Sequence, residues 1–279
     1  MNGIIVKQIS NLYTVRCGDQ LYGCRARGKF RKDKISPMVG DNVVVDINDN
    51  VITDILPRRN ELTRPVMSNI DVAFIVTSVK KPNLDLNLLD KLISVITFND
   101  IEPVICFTKL DLLNEKELEE INKLRTYYTY IGIKCVYNTE EVEILKIIKD
   151  KTVVLAGQTG AGKSSLLNRI DENLSIEVQE ISESLGRGKH TTRHVELYEI
   201  GEGFIADTPG FSCIDLTEMN REQLRDSFIE FSNYDCRFRD CAHDKEIGCA
   251  VKEAVENKKL LKTRYNNYIQ FLREIDKWK

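Results

Sequence analysis

Gly157-Gln158-Thr159-Gly160-Ala161-Gly162-Lys163-Ser164 spaces three glycines, a lysine and a hydroxyl as a polyphosphate-binding turn requires. The apolar run Thr152-Val153-Val154-Leu155-Ala156 precedes it and Ser165-Leu166-Leu167-Asn168-Arg169-Ile170 follows, so strand, turn and helix are predicted in that order. Glycines let successive backbone N–H groups turn towards a di- or triphosphate, and the positive end of the helix adds to the attraction. Gly157 to Ser165 are expected to line the phosphates, with Lys163 reaching the β and γ groups and serving the chemistry there, and Ser164 holding Mg²⁺.

Thr108-Lys109-Leu110-Asp111 is the string that selects the base. Guanine offers N1–H and the N2 amine side by side, and one carboxylate such as Asp111 can accept both. Adenine presents an acceptor there and leaves the carboxylate unpaired, which argues against an ATP-using kinase or ATPase. Lys109 is expected to lay its aliphatic stem along the base. Thr108 stands where Asn is commoner, which predicts weaker bridging between this loop and the phosphate loop.

Two further strings suit a nucleotide switch. Ser184-Leu185-Gly186-Arg187-Gly188-Lys189-His190-Thr191-Thr192-Arg193 is glycine-rich and basic, and Thr191 or Thr192 would complete the Mg²⁺ shell when a γ-phosphate is present. Asp207-Thr208-Pro209-Gly210 ends a strand, with Asp207 organising Mg²⁺ through water and the Gly210 N–H sensing the γ-phosphate. Phe211 follows, where many GTPases carry the glutamine that orients the attacking water; His190 is the nearest polar substitute by sequence. The fourth constellation is Cys236, Cys241, His243 and Cys249. Three thiols and one imidazole within fourteen positions compose a closed tetrahedral set, the signature of one structural Zn²⁺ per chain.

The elements that must position these groups fall into three segments. Residues 1–65 carry five short β-rich runs between turn signals, which predicts a β-barrel of the OB-fold type. Arg25, Arg27, Lys29, Arg31, Lys32 and Lys34 crowd its middle beside Tyr22 and Phe30, a mixture suited to nucleic acid. Pro57 to Pro65 reads as a linker. Residues 66–216 alternate buried strands with helices, the pattern of a parallel sheet with ligand loops at strand C-termini. Residues 217–279 combine a helix over 222–231, the cysteine cluster and an amphipathic helix over 258–275.

Guanine loop first, phosphate loop second and switch strings last is a circular permutation of the usual GTPase order. In this order, in the basic barrel and in the Cys-Cys-His-Cys set, the chain resembles the RsgA (YjeQ/YloQ) family of ribosome-associated GTPases over nearly its whole length. The resemblance implies an α/β P-loop GTPase core, circularly permuted, between an OB-fold barrel and an α-helical zinc-binding segment. It implies GTP and GDP as ligands, GTP hydrolysis as the reaction, and the small ribosomal subunit and its rRNA as partners in late subunit maturation. A second reading is an RNA-binding assembly factor in which nucleotide state only times release. No Ser-Ala pair stands near Asn138-Thr139, so the partner of guanine O6 is left open.

Composition agrees with an enzyme of this kind. The chain has 279 residues, 42% of them apolar and 30% charged, with a net charge of −3, and no apolar run nears the roughly 20 residues of a membrane span. Without a signal-peptide pattern the expected location is the cytoplasm, where eight cysteines serve as thiols or metal ligands. A monomer with no membrane association is expected.

Overall fold

The computed structural model describes residues 1–28, 30, 35–63, 65–171, 195–211 and 215–277, with 207–211 as backbone. Five strands come first: β1 (Asn2–Ile9), β2 (Leu12–Cys17), β3 (Gln20–Ala26), β4 (Asn42–Asp46) and β5 (Val51–Ile55). Residues alternate along the strands, so Val15, Cys24, Val43 and Ile52 are buried between more exposed neighbours, while in β1 both Ile5 and Val6 are buried. β1, β2 and β3 form an antiparallel meander, β3 pairs β5 in parallel, and β4 returns to β1, closing the barrel that the strand spacing predicted.

The stretch read as a linker is instead an anchor. β6 (Glu61–Thr63) and β7 (Val66–Ser68) form a hairpin whose Leu62 and Met67 are buried. Asp41 of the barrel is fully buried, and its carboxylate accepts from Arg58 Nε at 2.7 Å, Arg58 Nη2 at 2.9 Å and Ser68 Oγ at 2.6 Å. A buried carboxylate requires such partners, so the polar composition that suggests a free linker in fact supplies them. Asn60 continues the anchor, donating to Ile70 O and Asp100 O.

Next come β8 (Val72–Ser78), α1 (Leu86–Phe98), β9 (Glu102–Thr108), α2 (Glu115–Tyr130), β10 (Lys134–Tyr137), α3 (Glu141–Ile148), β11 (Thr152–Ala156) and α4 (Lys163–Ile170). Strands order as β10-β9-β8-β11 and pair in parallel, their near-continuous apolar runs buried on both faces. Helix starts follow local chemistry. Asp85 caps α1 by accepting from Asn87 N and Leu88 N, and Asn114 with Glu117 forms a capping box on α2. β12 (Glu196–Ile200) and β13 (Gly203–Phe211) form a hairpin; β13 joins β11 in parallel and β12 pairs with β1. One eleven-stranded sheet therefore runs from the nucleotide-fold core into the barrel.

In the C-terminal segment α5 (Arg221–Ser227) is followed by a 3-10 turn (Ile229–Asn233), not by the single helix predicted over 222–231. The break places Phe228, Glu230 and Phe231 together on the buried side. α6 (Ala250–Glu256) is too short to leave a periodic signal, burying only Val251 and Ala254, and α7 (Lys262–Asp276) lies against α1. Arg264, Tyr268, Phe271, Leu272 and Ile275 are the buried residues of α7. Among the described residues no helix is long and apolar enough to cross a membrane.

Candidate nucleotide site and metal cluster

β11 delivers the glycine-rich run to the C-terminal edge of the sheet, between β8 and β13. At Gly157 φ is +128° and a Cβ would lie 2.1 Å from Val76 O, so only glycine fits. Lys163, 7% exposed, donates from Nζ to Gly157 O and Gln158 O at 2.8 Å each. Burial holds its pKa below the usual lysine value, and an anion in the turn would supply the missing countercharge. Ser164 is buried at the second position of α4, while Thr159, Gly160 and Ser165 are exposed at the mouth of the turn. The loop is a cradle without side chains, opened towards a helix N-terminus, and it fits a phosphate chain.

β9 brings the base-selecting string to the same edge. Thr108 Oγ1 donates to Ala161 O at 2.5 Å, and a Cβ at Gly162 (φ +100°) would sit 3.6 Å from that hydroxyl. The bridge between the two loops, expected to suffer from the absence of Asn, is thus made by the threonine hydroxyl. Lys109 takes a left-handed conformation, φ +62°, and its ammonium donates to Lys81 O. The following 3-10 turn, Leu110–Leu112, leaves Asp111 exposed and without a hydrogen-bond partner among the described residues.

Two supporting contacts carry no sequence signal. Pro82 lies 3.9 Å from where a Gly160 Cβ would be, so the loop after β8 touches both the phosphate and the base strings. The turn after β10 is fixed as well: Asn138 N donates to Phe107 O, and Glu140 accepts from Tyr137 N and from both Nη atoms of Arg125, each at 2.9 Å. A hydrophilic helix residue such as Arg125 looks solvated in sequence; only folding reveals its partner.

Of the switch residues, His190, Thr191 and Thr192 lie outside the described residues. Asp207 sits opposite Glu196 in the β12–β13 ladder. β11 pairs Val154 with Ala206 and Ala156 with Phe211, so Asp207 to Gly210 are accommodated opposite one residue, beside the start of the phosphate loop.

The fourth constellation also assembles. The ligand atoms of Cys236, Cys241, His243 and Cys249 lie within 4.8 Å of one another and could hold a metal ion. Cys236 Sγ is 3.8 Å from Cys249 Sγ, and His243 Nδ1 is 3.5 and 3.3 Å from those two sulfurs. Tetrahedral bonds of about 2.3 Å to sulfur and about 2.0 Å to nitrogen demand edges of about 3.8 and 3.5 Å, close to those among Cys236, Cys249 and His243. Burial pushes the Cys241 thiol up to about 12 and the His243 imidazole below its usual value. Outer contacts hold the backbone around His243 in place: Tyr265 donates to His243 O, Tyr268 donates to Ala242 O, and Glu246 accepts from Ala242 N and Asp244 N.

The basic surface is only partly described. Arg25 and Arg27 are exposed on and just after β3; Lys29, Arg31, Lys32 and Lys34 lie outside the described residues. Phe30, expected among the base-stacking aromatics, is 5% exposed and packs in the barrel core, so its ring is not available for stacking. An aromatic among charges reads as a surface residue until the fold turns it inward.

A phosphate loop on β11, a guanine-type loop on the earlier strand β9 and a DxPG string on the later strand β13 define a circularly permuted P-loop GTPase. Family models agree: "RsgA GTPase" matches residues 55–217 and "RsgA N-terminal domain" matches residues 2–52. The chain belongs to the RsgA GTPase family. It is 47% identical to the small ribosomal subunit biogenesis GTPase RsgA 2 of Oceanobacillus iheyensis, over 98% of this chain and 97% of that one. The Enterococcus faecalis protein named small ribosomal subunit biogenesis GTPase RsgA is 45% identical over 99% and 96%. Two crystal structures superpose over nearly their full lengths. YloQ, a circularly permuted GTPase, gives a TM-score of 0.84 at 37% identity, covering 100% of this chain and 96% of that one; YjeQ from Thermotoga maritima gives 0.86 at 32%, covering 98% of each.

Proposed function

We propose that this chain hydrolyses GTP to GDP and phosphate while bound to the small ribosomal subunit during its maturation. The observation that carries the reading is the Thr108–Ala161 bridge, which sets a carboxylate for guanine and a cradle for phosphates at one edge of one sheet. The names of the relatives support the subunit as partner. Thr108, Lys109 and Asp111 hold the base, Gly157 to Ser165 hold the phosphates, and Lys163 neutralises charge on the β and γ groups. Ser164, Thr192 and, through water, Asp207 would hold Mg²⁺, which would supply charge neutralisation across those groups. The Gly210 N–H senses the γ-phosphate, Thr191 is the alternative to Thr192 for the metal shell, and His190 orients the attacking water in place of the residue that Phe211 cannot supply.

The barrel, residues 1–65, docks on rRNA through its basic face around Arg25 and Arg27; residues 66–216 form the GTPase unit and 217–279 the zinc-binding unit. The protein acts as a cytoplasmic monomer apart from the subunit. Small subunits are expected to co-sediment with it far better in a non-hydrolysable GTP analogue than in GDP. Absent binding in both states would remove the subunit from the account, and equal binding would remove its control by the nucleotide.

Zinc is the ion that the Cys₃His set suits best. One Zn²⁺ per chain is expected by metal analysis, lost in Cys249→Ser. The variant's C-terminal segment is expected to become protease-sensitive, because metal binding contributes folding free energy there. A metal-free wild type with a protease-resistant C-terminal segment would contradict the assignment.

A further inference from the structure

β1 is shared between two units of the fold. Its first residues pair with β4 and close the barrel, Asn2 opposite Val44 and Ile4 opposite Asn42. A register shift between Ile5 and Lys7 then bends the strand, and Lys7 pairs with Glu196 of β12. Glu196 in turn pairs with Asp207 of β13. Lys7, Glu196 and Asp207 therefore occupy one row across three strands, from the barrel to the DxPG string. Charge reinforces the row: Lys7 Nζ lies 2.6 Å from Glu196 Oε2, with both side chains about one-third exposed. Arg16 of β2 adds a second brace, pairing with Glu199 of β12 and placing its guanidinium 5.7 Å from the centre of the Phe204 ring on β13.

We infer that Lys7, seconded by Arg16, is a positioning residue for GTP hydrolysis: the Lys7–Glu196 pair ties the barrel to the β12–β13 hairpin, so that what docks on the barrel sets the placement of Asp207. Among the described residues the β1–β12 pairing consists of one pair of Cα partners, Lys7 with Glu196, and the Lys7–Glu196 and Arg16–Glu199 side-chain pairs add to it. A misplacement of about 1 Å at a reacting centre is enough to change a rate substantially. Neither Lys7 nor Arg16 belongs to the nucleotide strings or to the basic run around Arg25 and Arg27. The inference rests on the reading that the small subunit docks on the barrel and stimulates turnover.

The test uses the full chain with GTP, with and without purified small subunits, in wild type, Lys7→Glu, Glu196→Lys and the double exchange. Thermal unfolding and co-sedimentation are recorded alongside. Lys7→Glu is expected to lose about fivefold or more of the stimulation, with basal turnover and subunit binding unchanged, and the double exchange to recover it. Should Lys7→Glu fold poorly, Arg16→Ala removes a brace without introducing a repulsive charge and is expected to lower stimulation in the same way. Full stimulation in the folded variants overturns the inference. So does an equal fall in basal turnover, which marks a structural role, or a loss of subunit binding, which marks an RNA contact. A wild type that subunits do not stimulate overturns the functional reading as well, and the two failures are told apart by that control.

Discussion

Asp111→Asn is expected to weaken GTP binding by about three to four orders of magnitude and to create comparable affinity for xanthosine triphosphate. In the proposed function the carboxylate would accept from two donors of guanine, N1–H and the N2 amine. An asparagine amide can offer one acceptor, and its NH₂ then meets a donor. Xanthine carries an oxygen where guanine carries the amine, so the amide finds a partner there. Asp111 is exposed at the tip of a 3-10 turn whose neighbours Thr108 and Lys109 are held by Ala161 and Lys81, so the substitution leaves the loop's own scaffold intact. Equilibrium binding of both nucleotides to the variant checks this. Retention of the wild-type preference for GTP would mean that Asp111 does not contact the base.

Arg264→Ala is expected to destabilise the folded chain by about 3–5 kcal/mol. Arg264, Asp90 and Glu230 are each no more than 2% exposed, on α7, α1 and the 3-10 turn after α5. The guanidinium donates to both oxygens of Glu230, at 2.5 and 3.0 Å, and to Asp90 Oδ1 at 2.6 Å. Tyr128 also donates to Asp90 Oδ1, at 2.9 Å, and Asn267 to Asp90 Oδ2 at 2.7 Å. Burial opposes the charged guanidinium, but the two carboxylates overcome this and hold its pKa well above the ordinary arginine value. Removing the cation leaves two carboxylates buried without their countercharge, which costs far more than the net worth of the network. The same contacts join the C-terminal segment to the nucleotide fold, so protease cleavage near residues 217–279 is expected to accelerate. Arg264→Met combined with Asp90→Leu and Glu230→Met is expected to recover much of the loss. Urea unfolding of the single and triple variants measures both effects, and a single variant as stable as wild type would refute the argument.

The chemistry was more legible in the sequence than the connections. Phosphate, base and metal strings are short because their ligand groups must converge locally, so their spacing carries the signal. The five barrel strands and the buried parallel strands were legible from alternation and from apolar runs, since each burial pattern has its own period. What the sequence hid depends on distant partners. Asp41 with Arg58, Arg264 with Asp90, and Lys7 with Glu196 each join residues far apart in the chain, and a lone charge in sequence looks solvated. Phe30 illustrates the converse, an aromatic among charges that the fold turns inward. Thr108 shows that a motif departure can keep a bridge between the two loops, its hydroxyl donating to Ala161 O.

The most direct test of the central claim is turnover of the full chain with Mg²⁺, measured with GTP and with ATP, in the presence and absence of small ribosomal subunits. Phe211 offers no hydrogen bond to water, so slow GTP hydrolysis is expected from the chain alone. Subunits are expected to accelerate it by about a hundredfold, an acceleration missing from His190→Ala even though that variant still binds nucleotide and subunit. ATP should not be turned over in either condition. Comparable hydrolysis of ATP and GTP, or a wild-type rate that subunits leave unchanged, would contradict the account.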